Sequence, residues 1–345
     1  MTDRPVPSSR AADEEPGDSL LSAPTPESSP QSGESQAEGA ESTRAPVARR
    51  RRWPGISPYF LSAALFLSGF FAVFSPLPLI LQAYRAGFVF WFLALLTNAG
   101  LVYWLGGLLS LWLFLIFGIS VALALPWVLR PGRSPSRAAA GVLGFMLLMA
   151  ASVLFGHAWA HHVSPWEELG RVLSAGLDQT LAALSPEGRE SLLRTLEPEE
   201  WKREFLLEFP AAMAIFGVAV VGVNLVLLLR INPGGLRQRL RVPADFFKKW
   251  KTAEALVWPT ILCAALQLFD LGLASNVGMN GFKFLMSLYA IQGISILAYL
   301  LEAWGVRGPL RFLIFTGAVL LMLPLVLSLG FFDLWFDFRS KVRQS

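Results

Sequence analysis

The chain has 345 residues, of which 54% are hydrophobic and only 16% charged. A soluble chain carries about 25% charged residues, so an ordinary soluble enzyme is excluded and an integral membrane protein is the default. The formal net charge of +4 is unevenly placed, and the single cysteine, Cys263, excludes disulfide frameworks and multi-cysteine metal sites.

Residues 1–48 hold nine acids and three bases, with no aromatic residue. Such a segment cannot bury enough apolar surface to offset its chain entropy, so residues 1–52 read as a disordered acidic tail. The tail ends in the run Arg49–Arg52, which reads as a cytoplasmic anchor for the first membrane segment. It is too far from the start, and too acidic upstream, for a signal peptide.

The rest, residues 53–345, reads as an all-α polytopic transmembrane bundle. A helix needs about 20 apolar residues to cross a bilayer. Eight segments qualify in composition: Tyr59–Leu81, Phe88–Trp104, Leu108–Leu129, Arg137–Ala160, Pro210–Leu229, Ala253–Leu271, Gly281–Ala303 and Leu310–Leu329. The loop 230–251 has seven bases against one acid, whereas the loop 161–208 has ten acids against five bases. The positive-inside rule therefore makes 230–251 cytoplasmic and 161–208 extracytoplasmic. The bases Arg130, Arg133 and Arg137 agree with that assignment.

Parity then requires an even number of crossings between Arg49–Arg52 and Arg130, yet three segments intervene. Segment 59–81 contains Pro76 and Pro78, and Arg85 follows. One reading is a re-entrant pair of half-helices, broken near Pro76, that returns Arg85 to the cytoplasm. The other is a single proline-kinked span. At the far end, Phe331, Phe332, Leu334, Trp335, Phe336 and Phe338 interleave with Asp333 and Asp337, which suits a helix lying at the interface.

The polar insert 161–208 is patterned as helix. Ser164 is an N-cap with Pro165 in the first turn, and Glu167 and Glu168 follow. Leu169, Val172, Leu173, Leu177 and Leu181 share one face. Either this helix is a lid over an outward-facing cavity, or it is a connector resting on the bilayer.

Polar residues inside apolar runs are the leading site candidates, because an unpartnered polar group in hydrocarbon is costly. Asn98, Asn224 and Gln292 are the ligand-binding candidates, with interhelical hydrogen bonding as the plainer alternative. Asn276, Asn280, Gln267, Asp270 and Glu302 lie in or near the runs as well. His157 and His161 sit four apart, on one helix face, and are weak metal candidates because no Asp, Glu or Cys completes the set locally. Ala64, Ser68 and Ala72 recur every four residues and form a small face for helix docking. There is no phosphate-binding loop of the G-x-x-x-x-G-K-[ST] type, no H-E-x-x-H and no G-x-S-x-G, so neither enzyme activity nor a cofactor is expected. The basic loop between two spans suits membrane lipid, not nucleic acid.

Tyr289, Gln292-Gly293, Leu310-Arg311, Pro324 and the closing Phe332–Arg339, with Ser75–Gly87, Phe209-Pro210, Asn224 and Arg230, form a set of landmarks along the chain. Through them most of residues 57–341 resembles the YybS-like family of predicted bacterial membrane proteins, whose function is undefined. In its N-terminal half that family is similar to the substrate-binding subunits of energy-coupling-factor transporters. The resemblance implies a small-solute binding or transport component of the bacterial cytoplasmic membrane, served by separate coupling and ATPase subunits. It gives Ala64, Ser68 and Ala72 a role in docking on such a partner. A non-transporting scaffold or assembly factor is the alternative reading.

Overall fold

In the computed structural model the described residues are 57–185, 187, 198–269 and 271–344. The acidic tail 1–52 and Asp270 lie outside them. Among the described residues every regular element is helical. Four segments are long and apolar enough to cross a membrane: Phe88–Val128, Pro135–Ala160, Glu200–Ile231 and Leu273–Ala303. Apolar side chains face outward on them, with Leu148, Phe155 and Trp159 all more than 60% exposed. Water does not support so much contiguous apolar surface, so the surrounding solvent is lipid.

The chain begins with two short helices, α1 (Leu61–Leu67) and α2 (Pro76–Arg85). They form a hairpin that turns at Ser68–Phe71, where Gly69 takes a left-handed φ of 69°. The two limbs are tied where Ser62 Oγ donates to the Ser75 carbonyl. Segment 59–85 is thus a broken pair and not one kinked span. The break falls at Gly69, because Pro76 opens α2 at a position where its missing N–H costs nothing.

Helix α3 (Phe88–Phe114) continues through a π turn, Leu115–Ile119, into α4 (Ser120–Val128). A straight helix of 41 residues would run about 60 Å, twice the hydrocarbon thickness. Gly107 interrupts it at φ 76°, ψ −173°, where the sequence divides two spans. The second limb lies antiparallel to α5 (Pro135–Ala160). The Trp112 ring meets His157 at 4.2 Å, and Val128 lies beside Gly141 at the other end.

One end of the bundle collects the bases. Trp250 Nε1 donates to Ser136 Oγ across the Arg130–Arg137 turn, joining it to the 230–251 loop. Helix α2 packs against the turn Pro233–Gly235, so Arg85 stands at this basic end too. At the opposite end, α6 (Pro165–Ala183) folds back onto α5 and onto α7 (Pro198–Ile231). The short α8 (Leu236–Leu240) follows α7 within the basic loop.

Three of the eight expected spans are not single continuous helices of membrane-spanning length. Segment 59–81 is the hairpin. Ala253–Leu271 is a 12-residue helix, α9 (Val257–Leu268), which packs on α10 (Leu273–Ala303). Leu310–Leu329 is split into α11 (Gly308–Leu321) and α12 (Leu323–Phe336), bent by 92°. Pro324 cannot donate back to Leu320; the break falls at Met322, at φ −122°, and the helix restarts with Pro324 in its first turn, where the missing N–H costs nothing. The closing aromatic stretch runs on in α12 to Phe336, with Phe332, Trp335 and Phe336 exposed and Asp333 buried. A last short helix, α13 (Phe338–Gln344), ends the described chain.

Candidate functional site

The three amide candidates are all fully buried, and each holds the chain's own backbone. Asn98 accepts from the Ala63 N–H at 2.8 Å and donates to the Pro58 carbonyl at 2.9 Å. Ala63 is in the first turn of α1, whose N-cap, Phe60, offers no side-chain acceptor. Asn98 therefore caps α1 from another helix. Asn224 donates to the Val73 carbonyl at 2.8 Å, in the turn before α2, and its Oδ1 has no partner. Gln292 accepts from the Thr252 N–H at 2.8 Å and donates to Asp333 at 3.0 Å. The structure does not bring the three together at one cavity.

Asn280, a lesser candidate, works the same way. It accepts from the Ala211 N–H at 2.8 Å and donates to the Leu207 carbonyl at 2.9 Å. These two groups would bond each other in a regular helix. Pro210 opens the ladder there, and the amide of Asn280 bridges the gap.

Around Gln292 the network is larger than the sequence suggested. Ser295 Oγ donates to the Phe247 carbonyl at 2.5 Å, and Arg339 Nη2 donates to the Trp250 carbonyl at 2.9 Å. The irregular stretch 247–252 is thus satisfied from within the protein, as non-helical backbone inside a bundle must be. Helices α10 and α12 cross in contact: a Cβ on Gly293 would stand 1.8 Å from the Val326 carbonyl oxygen, and one on Gly330 1.9 Å from that of Tyr289. Most of the landmarks Tyr289, Gln292, Gly293, Asp333 and Arg339 therefore share one packing junction.

Ala64, Ser68 and Ala72 do not form one continuous helical stripe. Ala64 is exposed on α1, Ser68 is its C-cap, and Ala72 lies beyond the Gly69 turn. Gly69 ends the periodicity on which the stripe depended.

The histidine end holds a different kind of arrangement. Helix α5 stops at His161, and His162 takes a left-handed φ of 56° that turns the chain back. Ser164 and Glu167 then form a reciprocal capping box on α6. That spends Glu167 on the helix start and leaves Glu168 to point inward, where it is 1% exposed. Glu168 Oε1 lies 2.5 Å from His157 Nδ1, and Oε2 lies 3.2 Å from His161 Nδ1. Arg171 Nη1 is 3.1 Å from Glu168 Oε2. Burial pushes the Glu168 carboxyl up. Hydrogen bonds from His161 and His157, with the charge of Arg171, outweigh that and hold it below the usual carboxylate range. The expectation that no acid completes the histidine pair is corrected: Glu168 does so from the next helix. The adjacent glutamates after Ser164-Pro165 were the only signal, since one of them was free of the cap.

Beside this cluster lies a chamber of about 490 Å³ between α6 and the walls of α3, α5 and α7. Its lining is almost wholly apolar, including Leu109, Trp112, Leu154, Leu173 and Phe209, with Glu168 at one edge. The apolar face of α6, with Leu169, Val172, Leu173 and Leu177, forms its roof. Gly176 in that roof allows Leu109 to approach within 3.5 Å of where a Cβ would stand. A second cleft, of about 580 Å³, opens at the basic end and is bordered by Arg230, Arg237, Lys248 and Arg311.

No curated protein and no solved structure matches the chain. A family model described as "Predicted membrane protein (DUF2232)" matches residues 59–334, from the start of the hairpin almost to the end of α12. The histidine end and the buried junctions, Arg339 excepted, fall within that match, and the chain belongs to this family of predicted membrane proteins.

Proposed function

We propose that the chain is a solute-binding component of a membrane transport system, with the chamber beneath α6 as its site. The single observation that carries this reading is the roofed apolar chamber, whose volume lies in the ordinary range for ligand sites. Its chemistry fits an amphiphile: an apolar body against Leu154, Leu173 and Phe209, and a polar end at Glu168. With no phosphate-binding loop in the sequence, energy would come from separate coupling and ATPase subunits, as the YybS-like resemblance implies. In this reading the basic end faces the cytoplasm of a bacterium, the N-terminus lies on that side, and the chamber opens outward. The exposed Ala64 and Ser68 remain the docking candidates, and the basic cleft bordered by Arg230 and Arg237 would take anionic lipid head groups. The protein itself is read as non-catalytic.

The scaffold reading has one observation in its favour: Asn98, Asn224 and Gln292 bond the chain's own backbone. Native mass spectrometry of the protein, gently extracted from its host membrane, separates the two. The transport reading expects a stoichiometric small molecule, or co-purifying ATPase subunits. Leu173→Trp, which puts bulk into the chamber, should weaken small-molecule retention. A wild-type protein that carries only bulk lipid and non-ATPase partners across growth conditions would establish the scaffold instead.

A further inference from the structure

We infer that His157, His161 and Glu168 form a binding site for one divalent transition-metal ion of the zinc class. The ligand atoms of the three side chains lie within 4.8 Å of one another. That spacing suits a single ion, since ligands about 2 Å from a tetrahedral centre stand about 3.3 Å apart. Two imidazoles and one carboxylate are the donors that borderline divalent ions favour, and three protein ligands leave a position open.

The surroundings favour a built site. Glu168 is buried at 1% exposure, whereas an acid at a helix start ordinarily faces solvent. His157 is held by the edge of Trp112 at 4.2 Å, which fixes its ring. Arg171 Nη1 lies 3.0 Å from His161 Nδ1 as well as beside Glu168. Both Nδ1 atoms face the same carboxylate, His161 Nδ1 lying 3.2 Å from Glu168 Oε2, so the three ligand groups border one small space. On metal binding the ion takes the imidazole lone pairs, and the protons held on those nitrogens leave to water. Arg171 then keeps its bond to Glu168 as an outer partner of a ligating carboxylate. His161 is 42% exposed, which gives the ion a way in. Glu168 also borders the chamber, so the ion stands at its edge, but the site does not depend on the chamber holding a solute.

The test uses the full chain in detergent micelles, stripped with a chelator and then titrated with zinc chloride alone. One zinc per chain is expected. His157→Ala, His161→Ala and Glu168→Gln should each weaken binding by at least about tenfold, and His162→Ala should not. Cobalt(II) substituted into the wild-type protein should give the visible absorption of a four- or five-coordinate nitrogen–oxygen site, a readout that needs no variant. A wild type that binds less than stoichiometric zinc, or shows only the spectrum of hydrated cobalt, overturns the inference. So does equal weakening by His162→Ala. Leu173→Trp should leave zinc binding intact, so failure of the solute reading and failure of the metal site give different patterns.

Discussion

The two ends of polar chemistry in this bundle are built to opposite plans. At the α1/α2 hairpin, at Pro210 and at the stretch 247–252, buried and half-buried amides spend their hydrogen-bonding capacity on broken backbone. At the histidine end, buried polar groups meet one another beside an apolar chamber. The difference shows why polarity inside a membrane segment is a poor guide to function by itself. A bilayer offers no water to an interrupted helix, so these interruptions recruit polar side chains from elsewhere. Only a polar group left over after that accounting is available to a ligand. Glu168 is such a group. Asn98 is not.

The sharpest way to break this division is to attack the packing that the amides serve. In Gly293→Ala the new methyl would stand 1.8 Å from the Val326 carbonyl oxygen. Overpacking typically costs about 1–3 kcal/mol, and an obstacle made of backbone puts this variant at the upper end or beyond. The expected outcome is loss of monodisperse protein after extraction, while Gly144→Ala, where nothing lies within 4 Å, behaves as wild type. Asn98→Leu should come next. It orphans the Pro58 carbonyl and the Ala63 N–H, at roughly 1–3 kcal/mol for each buried group. Asn224→Leu should cost less, about 1 kcal/mol, because it frees the Val73 carbonyl but also removes an Oδ1 that already lacks a partner. Thermal melts in nanodiscs rank the three. If Asn224→Leu proves the costlier, its Oδ1 has a partner that the protein alone does not supply, and a ligand role for it revives.

Much of the architecture was legible because it rests on local chemistry. Gly106-Gly107 divided two spans, and Gly107 is where the long helix breaks. Ser164, Pro165 and Glu167 announced the start of α6, and the capping box is there. Prolines misled in both directions. Pro76 marks a helix start and not the break, whereas Pro324 divides a run that hydropathy alone read as one span. Burial of the amides was legible too, but their partners were not. Asn98 reaches 35 residues along the chain to Ala63, and Asn224 reaches 151 to Val73. Glu168 escaped for the same reason: its meeting with His157 depends on the reversal at His162, a tertiary event without a local pattern.

A variant at the chamber sharpens the comparison from the other side. Leu173→Trp adds bulk where there is room for it, so it should alter stability by no more than about 1 kcal/mol while weakening small-molecule retention. The amide variants should do the reverse. A Leu173→Trp protein that melts far below wild type would mean that the chamber closes in the membrane and that its walls are core.

The smallest effect belongs to the surface counterpart of the Gln292 junction. Lys251 Nζ donates to Asp337 Oδ1 at 3.0 Å, tying the same stretch to the end of α12 from outside. Both side chains are about half exposed, so solvent and salt screen the pair, and Asp337→Asn should cost less than about 1 kcal/mol. Asparagine also tolerates the left-handed backbone that Asp337 adopts at φ 39°, so the substitution tests charge alone. The hydrogen bond from Lys251 holds the Asp337 carboxyl below its usual range, against a smaller upward push from burial. A carboxyl whose folded value is depressed adds stability that is fully present above its unfolded value of about 3.9 and disappears as the pH falls through the folded value. The melting difference between wild type and Asp337→Asn should therefore hold steady from neutral pH to about 5, shrink below about 4, and shrink at neutral pH in high salt. A difference that survives acid and salt would place the tie in the backbone turn and not in the ion pair, leaving the buried bonds of Gln292 and Arg339 to hold the stretch alone.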